Sequence, residues 1–172
     1  TKRAKKSDLT PYLIAIAKEN CLDGDKIRAG DAVNFSIGQG DTLMTPLQMA
    51  AAYAAIANGG TLYQPQIAKA IVKPNGTVVK EFKPVVNGRL DASPATIAFL
   101  HKALRSVNLI GTGAGVFSGF PVEVSGKTGT GQVFGKNSDG SAYDDISWYA
   151  SFAPSKKPDY AVIMVVSQGG FG

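Results

Sequence analysis

Cysteine is almost missing from these 172 residues: Cys21 stands alone, so no internal disulfide is possible. His101 is the only histidine, which leaves no Cys/His set for a structural zinc, and no metal is expected. Charge is sparse at 18% and the mean hydropathy is close to zero (+0.01), so the chain lacks the low-hydrophobicity, high-charge signature of disorder. No uninterrupted apolar run reaches membrane-spanning length, and there is neither a signal peptide nor an initiator methionine; these gaps predict a piece excised from something larger. The basic excess is small, 18 Lys+Arg against 13 Asp+Glu for a net +5. Much of it sits in Thr1-Lys2-Arg3-Ala4-Lys5-Lys6 and the rest is scattered, which argues against a nucleic-acid-binding face. The 20 glycines follow no Gly-X-Y period, excluding a collagen-like chain. The length fits one core, or part of one.

What is present is patterned. Residues 9–20 carry apolar positions at helical spacing with Pro11 early, predicting a short helix, and the polar, Gly-punctuated residues 21–31 read as loop. Thr45-Pro46 opens the clearest helix, with Thr as N-cap, Pro in the first helical position and Asn58-Gly59-Gly60 as the stop. Residues 65–72 and 77–82 are two β-leaning runs joined through Lys73-Pro74-Asn75-Gly76, which predicts a small exposed hairpin. Ser93-Pro94 repeats the cap, and Ile97, Leu100, Leu104 and Val107 make an amphipathic helix ending before Gly111. The stretch Gly111-Thr112-Gly113-Ala114-Gly115 reads as a flexible connection. Residues 122–124 leading into Ser125 and beyond, then 146–152 and 160–166, predict three antiparallel neighbours after the helices, hence an α+β fold.

Several motifs fail on context. Gly126-Lys127-Thr128 suggests a phosphate loop, but position 121 is Pro121 where glycine is required, and no helix signal follows. The glycines of 111–115 follow a helix instead of opening one, against dinucleotide binding. A Ser-His-Asp triad would need His101, which reads as a helix-surface histidine far from any Gly-x-Ser-x-Gly elbow. Asp139, Asp144 and Asp145 read as solvated turn residues, since their spacing matches no calcium loop. Lys127-Thr128-Gly129-Thr130 remains: a cation and hydroxyls on a strand rim, with Gly129 leaving room for a substrate backbone, suit the wall of an anion-recognising cleft. A plain surface strand end fits the tetrapeptide equally well.

The tetrapeptide has company. Phe35-Ser36-Ile37-Gly38-Gln39-Gly40-Asp41 is followed by Thr45-Pro46-Leu47-Gln48-Met49-Ala50 and Tyr53-Ala54-Ala55-Ile56-Ala57-Asn58-Gly59-Gly60, then by Gly111-Thr112 and the strand-forming residues 146–154 and 160–166. In this order, over about residues 32–172, they resemble the C-terminal half of the transpeptidase domain of class B penicillin-binding proteins, the peptidoglycan D,D-transpeptidases. The resemblance implies an α+β penicillin-binding-protein/serine β-lactamase-like fold, with residues 1–31 as a helix and loop and 32–172 as the C-terminal portion of one incomplete domain. That family builds its site from Ser-x-x-Lys, Ser-x-Asn and Lys-Thr-Gly. No serine here has lysine three residues later, so the nucleophile is not in this chain. Ser106-Val107-Asn108 matches the second pattern but falls in the late helix, and reads as coincidence.

By the same resemblance Lys127 is catalytic, Thr128, Gly129 and Thr130 bind substrate, and the backbone N–H of Thr130 is an oxyanion donor. The implied partners are the D-Ala-D-Ala stem peptide of peptidoglycan, β-lactam antibiotics, the missing N-terminal part and other cell-wall synthesis proteins. No cofactor is implied. The implied location is the extracytoplasmic face of the bacterial membrane, held by an N-terminal anchor, where Cys21 would pair with an upstream cysteine or stay a free thiol. Two other readings share the motif: a non-catalytic wall-binding module, and a penicillin sensor or β-lactamase relative.

Overall fold

The computed structural model describes residues 10–172 other than 25, 41 and 134. The basic run 1–6, Leu9 and Asp41 lie outside the described residues. The chain divides into two compact units, one ending at Thr42 and the other spanning Leu43–Gly172.

The first unit carries α1 (Pro11–Asp23) and α2 (Ala29–Ser36). Residues 21–31 are therefore not one loop: Cys21 is an exposed residue of α1, and α2 begins at Ala29. The backbone N–H of Arg28 donates to Asp31 Oδ2 at 2.9 Å, closing the first turn of α2, where a carboxylate also complements the helix dipole. Arg28 pairs with Glu19 of α1 at 3.3 Å, an exposed contact worth little by itself.

The second unit is α+β. Its first helix, α3 (Pro46–Ala57), starts where the cap is written: Thr45 Oγ1 accepts from Gln48 N at 3.2 Å, and Gln48 Oε1 accepts from Thr45 N at 2.8 Å. Such a cap is worth about 1 kcal/mol. Two small antiparallel pairs follow: β1 (Thr61–Tyr63) with β4 (Val86–Arg89), and β2 (Ala70–Val72) with β3 (Val78–Glu81). The β2–β3 turn falls at Lys73-Pro74-Asn75-Gly76 as expected, but Gly76 N donates to the Lys73 carbonyl at 2.9 Å, so Pro74-Asn75 form the centre of the turn and Gly76 alone takes a positive φ, +84°. Next come α4 (Pro94–Ile110), capped by Ser93, and the short α5 (Ala114–Phe117).

The chain then forms β5 (Ser125–Gly131), β6 (Ile146–Ala153) and β7 (Tyr160–Val166), an antiparallel sheet in that spatial order. Residues 122–124 precede β5 without joining it. Helix α4 packs on β5, and α3 on β6 and β7. Phe152 of β6 lies at the centre with 0% exposure, accompanied by buried Ala55, Ile97, Val124 and Ala150. No helix among the described residues is long and apolar enough to cross a membrane.

Candidate active-site wall

Among the described residues β5 pairs only with β6, and no strand lies on its outer edge. Alternation along the strand puts Lys127 and Gly129 on one face and Thr128 and Thr130 on the other, the latter opposite Tyr149 and Ser147 in the register. Lys127 is exposed, and its Nζ donates to the Thr128 carbonyl at 2.7 Å and to Thr128 Oγ1 at 3.3 Å. The ammonium thus curls over its own strand. Thr128 Oγ1 also shares a 2.8 Å hydrogen bond with Thr112 Oγ1, which fixes its rotamer from outside the sheet. At Gly129 an added Cβ would meet only Trp148 Cβ, at 3.4 Å. Folding alone therefore makes a weak demand for glycine there, and the space above it is open. Thr130 Oγ1 accepts from Gly172 N at 3.1 Å, while Ser147 Oγ donates to the carbonyls of Gly170 and Phe171. The four motif residues thus follow one another on an edge strand, with Lys127 exposed and Thr128, Gly129 and Thr130 half-buried.

Behind them lies a packed support. Asn108, 3% exposed on α4, donates through Nδ2 to the Val124 carbonyl at 2.8 Å. Its amide brackets the Tyr149 hydroxyl, which accepts from Nδ2 at 2.8 Å and donates to Oδ1 at 3.1 Å. The Tyr149 ring stacks on Phe117 of α5 at 5.5 Å. Burial pushes the Tyr149 phenol above its ordinary pKa, with the Asn108 bond pulling weakly the other way. Tyr53 of α3 is raised as well, by burial first and by Tyr149 second. Gly126 has to be glycine here, because a Cβ would sit 2.7 Å from Tyr149 Cζ and 2.8 Å from the Ala150 carbonyl.

This support corrects the flexible reading of residues 111–115. Gly111 caps α4, and a Cβ on it would lie 2.9 Å from the Val107 carbonyl; one on Gly113 would land on Asn108 Oδ1. The stretch is a close-packed corner that delivers Thr112 to Thr128 and continues into α5. His101 is corrected too. Its Nε2 lies 2.9 Å from the Ile56 carbonyl and its ring 4.8 Å from Phe152, so it is a half-buried packing residue that joins α4 to the last turn of α3. The Ile56 carbonyl also accepts from Gly59 N at 3.3 Å, so the imidazole is its second contact. Ser106 Oγ bonds the Lys102 carbonyl within α4 and Asn108 is structural, so Ser106-Val107-Asn108 forms no site.

Asp139 accepts from Ser141 N at 2.9 Å and Ser141 Oγ at 2.6 Å in a turn, bonds that hold its carboxyl below the usual range. Among the described residues no group of His, Cys, Asp and Glu could hold a metal. Sequence reasoning missed Tyr149 and Asn108 as supports. The usable signal was an amide next to Val107, at the end of an otherwise apolar helical stripe.

Residues 17–172 match the family described as the penicillin-binding protein transpeptidase domain. Penicillin-binding protein PbpB of Mycolicibacterium smegmatis is 39% identical over 137 residues, 75% of this chain and 20% of that protein. The peptidoglycan D,D-transpeptidase PbpA of the same organism is 29% identical over 163 residues, 95% of this chain and 32% of its own length. Among solved structures, penicillin-binding protein A of M. tuberculosis, as an imipenem acyl-enzyme complex, superposes with a TM-score of 0.66 at 28% identity, covering 80% of this chain and 29% of that one. This chain therefore spans between a fifth and a third of the length of these relatives. With the match running from residue 17 to residue 172, the chain belongs to the penicillin-binding protein transpeptidase domain family.

Proposed function

We propose that this chain supplies the Lys-Thr-Gly wall of a serine D,D-transpeptidase that cross-links peptidoglycan stem peptides, with the nucleophilic serine contributed by residues outside these 172. The observation that carries the reading is Lys127 on the unpaired edge of β5, beside a Thr128 hydroxyl held by Thr112. The names of PbpA, a peptidoglycan D,D-transpeptidase, and of the imipenem acyl-enzyme support it.

In this reading the serine attacks the carbonyl between the two D-alanines, the terminal D-alanine leaves with a proton, and the ester formed is then opened by an amine of a second stem peptide. A β-lactam enters by the same attack, and its ring amide opens instead. Lys127 adds positive potential where negative charge develops, Thr128 and Thr130 hold the substrate carboxylate, and open Gly129 admits the substrate backbone. By its place in the motif, Thr130 lends its backbone N–H to the oxyanion, an interaction class worth about 3–4 kcal/mol in other acyl-transfer enzymes. Such chemistry belongs on the extracytoplasmic side of the membrane, where stem peptides are joined.

In a protein that includes the serine, Lys127→Ala should slow acylation by labelled penicillin about 100-fold or more, roughly 2.7 kcal/mol of barrier, while the melting temperature stays within a few degrees. Lys127→Arg should restore only part of the rate, because a planar fork cannot replace a compact ammonium. Stopped-flow acylation beside thermal melts decides it, and an alanine variant that acylates at the parent rate sinks the assignment. The 172 residues alone should take up no penicillin by mass spectrometry, as no serine in them is followed by lysine three residues on.

A further inference from the structure

Asparagine followed by glycine occurs three times, at Asn58-Gly59, Asn75-Gly76 and Asn87-Gly88. Such a pair is chemically labile, because glycine has no side chain to keep its backbone nitrogen away from the asparagine carboxamide. All three asparagines are exposed, so exposure does not rank them. Their surroundings do. Asn58 is clamped at both ends of its amide: Oδ1 accepts from Thr61 N and Nδ2 donates to the Thr61 carbonyl, each at 2.8 Å. Asn87 lies in β4, where Gly88 stands opposite Leu62 of β1. That pair is tied on either side, by Gln64 N to the Val85 carbonyl and Leu90 N to the Gly60 carbonyl, both at 2.8 Å. β1 in turn packs on α3, so Gly88 is paired with a strand that the core holds in place.

Asn75 is placed differently. Its turn closes the β2–β3 hairpin, on which no helix among the described residues packs substantially. Ile71 is 50% exposed, and Val72, Val78 and Val79 more so. A hairpin of two strands without apolar cover is marginal in water, so this one opens locally at low cost. While it is closed, Gly76 N donates to the Lys73 carbonyl at 2.9 Å, which keeps that nitrogen from attacking; opening releases it. A second contact needs only neighbouring residues and does not depend on strand pairing: Thr77 N donates to Asn75 Oδ1 at 3.1 Å. It turns the carboxamide back along the chain, and it sets an N–H where negative charge gathers on Oδ1 when Cγ is attacked. Unlike Asn58, Asn75 has its amide held at the oxygen end alone.

We infer that Asn75 is the chain's site of spontaneous deamidation, selected over the other two Asn-Gly pairs by the low cost of opening the β2–β3 hairpin. The co-reactant is water. Gly76 N gives up its proton to solvent and bonds to Asn75 Cγ; Nδ2 takes up a proton and leaves as ammonia, which closes a succinimide ring. Water then opens either ring carbonyl and leaves aspartate or isoaspartate at position 75. Nothing is oxidised or reduced, and water consumed balances ammonia released. The product adds a negative charge to a hairpin that carries Lys69, Lys73 and Lys80, and the isoaspartate form lengthens the main chain of the turn by a carbon.

The test incubates the intact protein in mildly alkaline buffer, with and without urea, and follows each Asn-Gly peptide by mass spectrometry. Methylation by an isoaspartyl O-methyltransferase reports the isoaspartate fraction. In the folded protein Asn75 should convert at least about ten-fold faster than Asn58 and Asn87, as local opening differs among the three. In urea the clamp on Asn58 and the pairing of Gly88 are gone, and all three should convert at comparable rates. Asn75→Gln should remove the folded-state methylation signal, since a longer side chain has to close a larger ring. The site-resolved rates of the parent carry the comparison if that variant is not folded by circular dichroism. Faster conversion at Asn58 or Asn87 in the folded protein would overturn the proposal, and so would no conversion at Asn75. An Asn75 lead that persists undiminished in urea would overturn it too, because the neighbouring residues and not the fold would then set the rate.

Discussion

β5 and β7 flank the same central strand, yet their surfaces are of opposite kinds. β5 shows water a lysine and, half-buried, two threonines and two glycines, with its threonine hydroxyls already tied to Thr112 and Gly172. β7 exposes Val162 at 50% and Met164 at 58%, with Val166 and Tyr160 also open, on one face of a strand that no further strand among the described residues joins. A polar edge with preset donors stays soluble and selective. A contiguous apolar face is normally covered in a folded protein. One sheet thus separates a side suited to small polar ligands from a side suited to protein, and β6 holds the two in register through Phe152.

The sharpest way to break this contrast is to remove what holds it. Phe152→Ala should cost about 3–5 kcal/mol in urea unfolding, a large share of a typical domain's margin of about 5–15 kcal/mol, and blur both sides together. A loss under about 1 kcal/mol would mean that the sheet does not depend on this ring. Asn108→Ala should cost about 1–3 kcal/mol, because it strands the Val124 carbonyl and the Tyr149 hydroxyl. Unlike Lys127→Ala it should depress stability and acylation together, which separates a support from a group that meets substrate.

Met164→Glu addresses the other side. In this chain alone its effect should stay within about 0.5 kcal/mol, as for an exposed site. In a longer protein whose added residues cover β7 it should cost more than about 2 kcal/mol, since a carboxylate would be buried unpaired. Equal effects in both contexts would show that β7 stays bare.

The smallest expected effect concerns alkaline pH. Burial raises the phenols of Tyr53 and Tyr149, so both stay protonated in the folded chain past the ordinary value of about 10. A folded pKa above the unfolded one leaves stability intact below about pH 10 and erodes it as pH climbs from there through the raised values. Tyr149→Phe should flatten that decline in a series of melts, whatever it does to stability near neutrality.

Much of this was legible because it is written locally. Thr45-Pro46 and Ser93-Pro94 announce α3 and α4, and Asn75-Gly76 announces the hairpin, each through a single backbone preference that needs no tertiary partner. α2 escaped notice because Gly30 and Asp31 read as loop residues, whereas Asp31 closes the helix's first turn through its side chain. β1 and β4 escaped for another reason: they are three and four residues long, and each is defined by a partner more than twenty residues away. His101 was misplaced because the sequence shows a polar type, while the fold supplies the Ile56 carbonyl that satisfies it. At the site, Lys127 to Thr130 stood out as a motif. The hold of Thr112 on Thr128 did not, since two threonines sixteen residues apart signal nothing until a corner built on Gly111 and Gly113 brings them together.

That threonine pair has a directional consequence. A hydroxyl owns a single hydrogen, so the 2.8 Å contact between Thr112 and Thr128 can run either way while nothing is bound. Once Thr128 turns its hydrogen toward a carboxylate, Thr112 must become the donor. The Lys127 ammonium, which donates to the same Thr128 oxygen, favours Thr128 as the donor to Thr112 until an anion arrives, so the bound state reverses that polarity. Arrival of an anion at the strand would therefore be registered one residue beyond the helix cap at Gly111, as a reversal of one hydrogen bond with no atom heavier than hydrogen displaced.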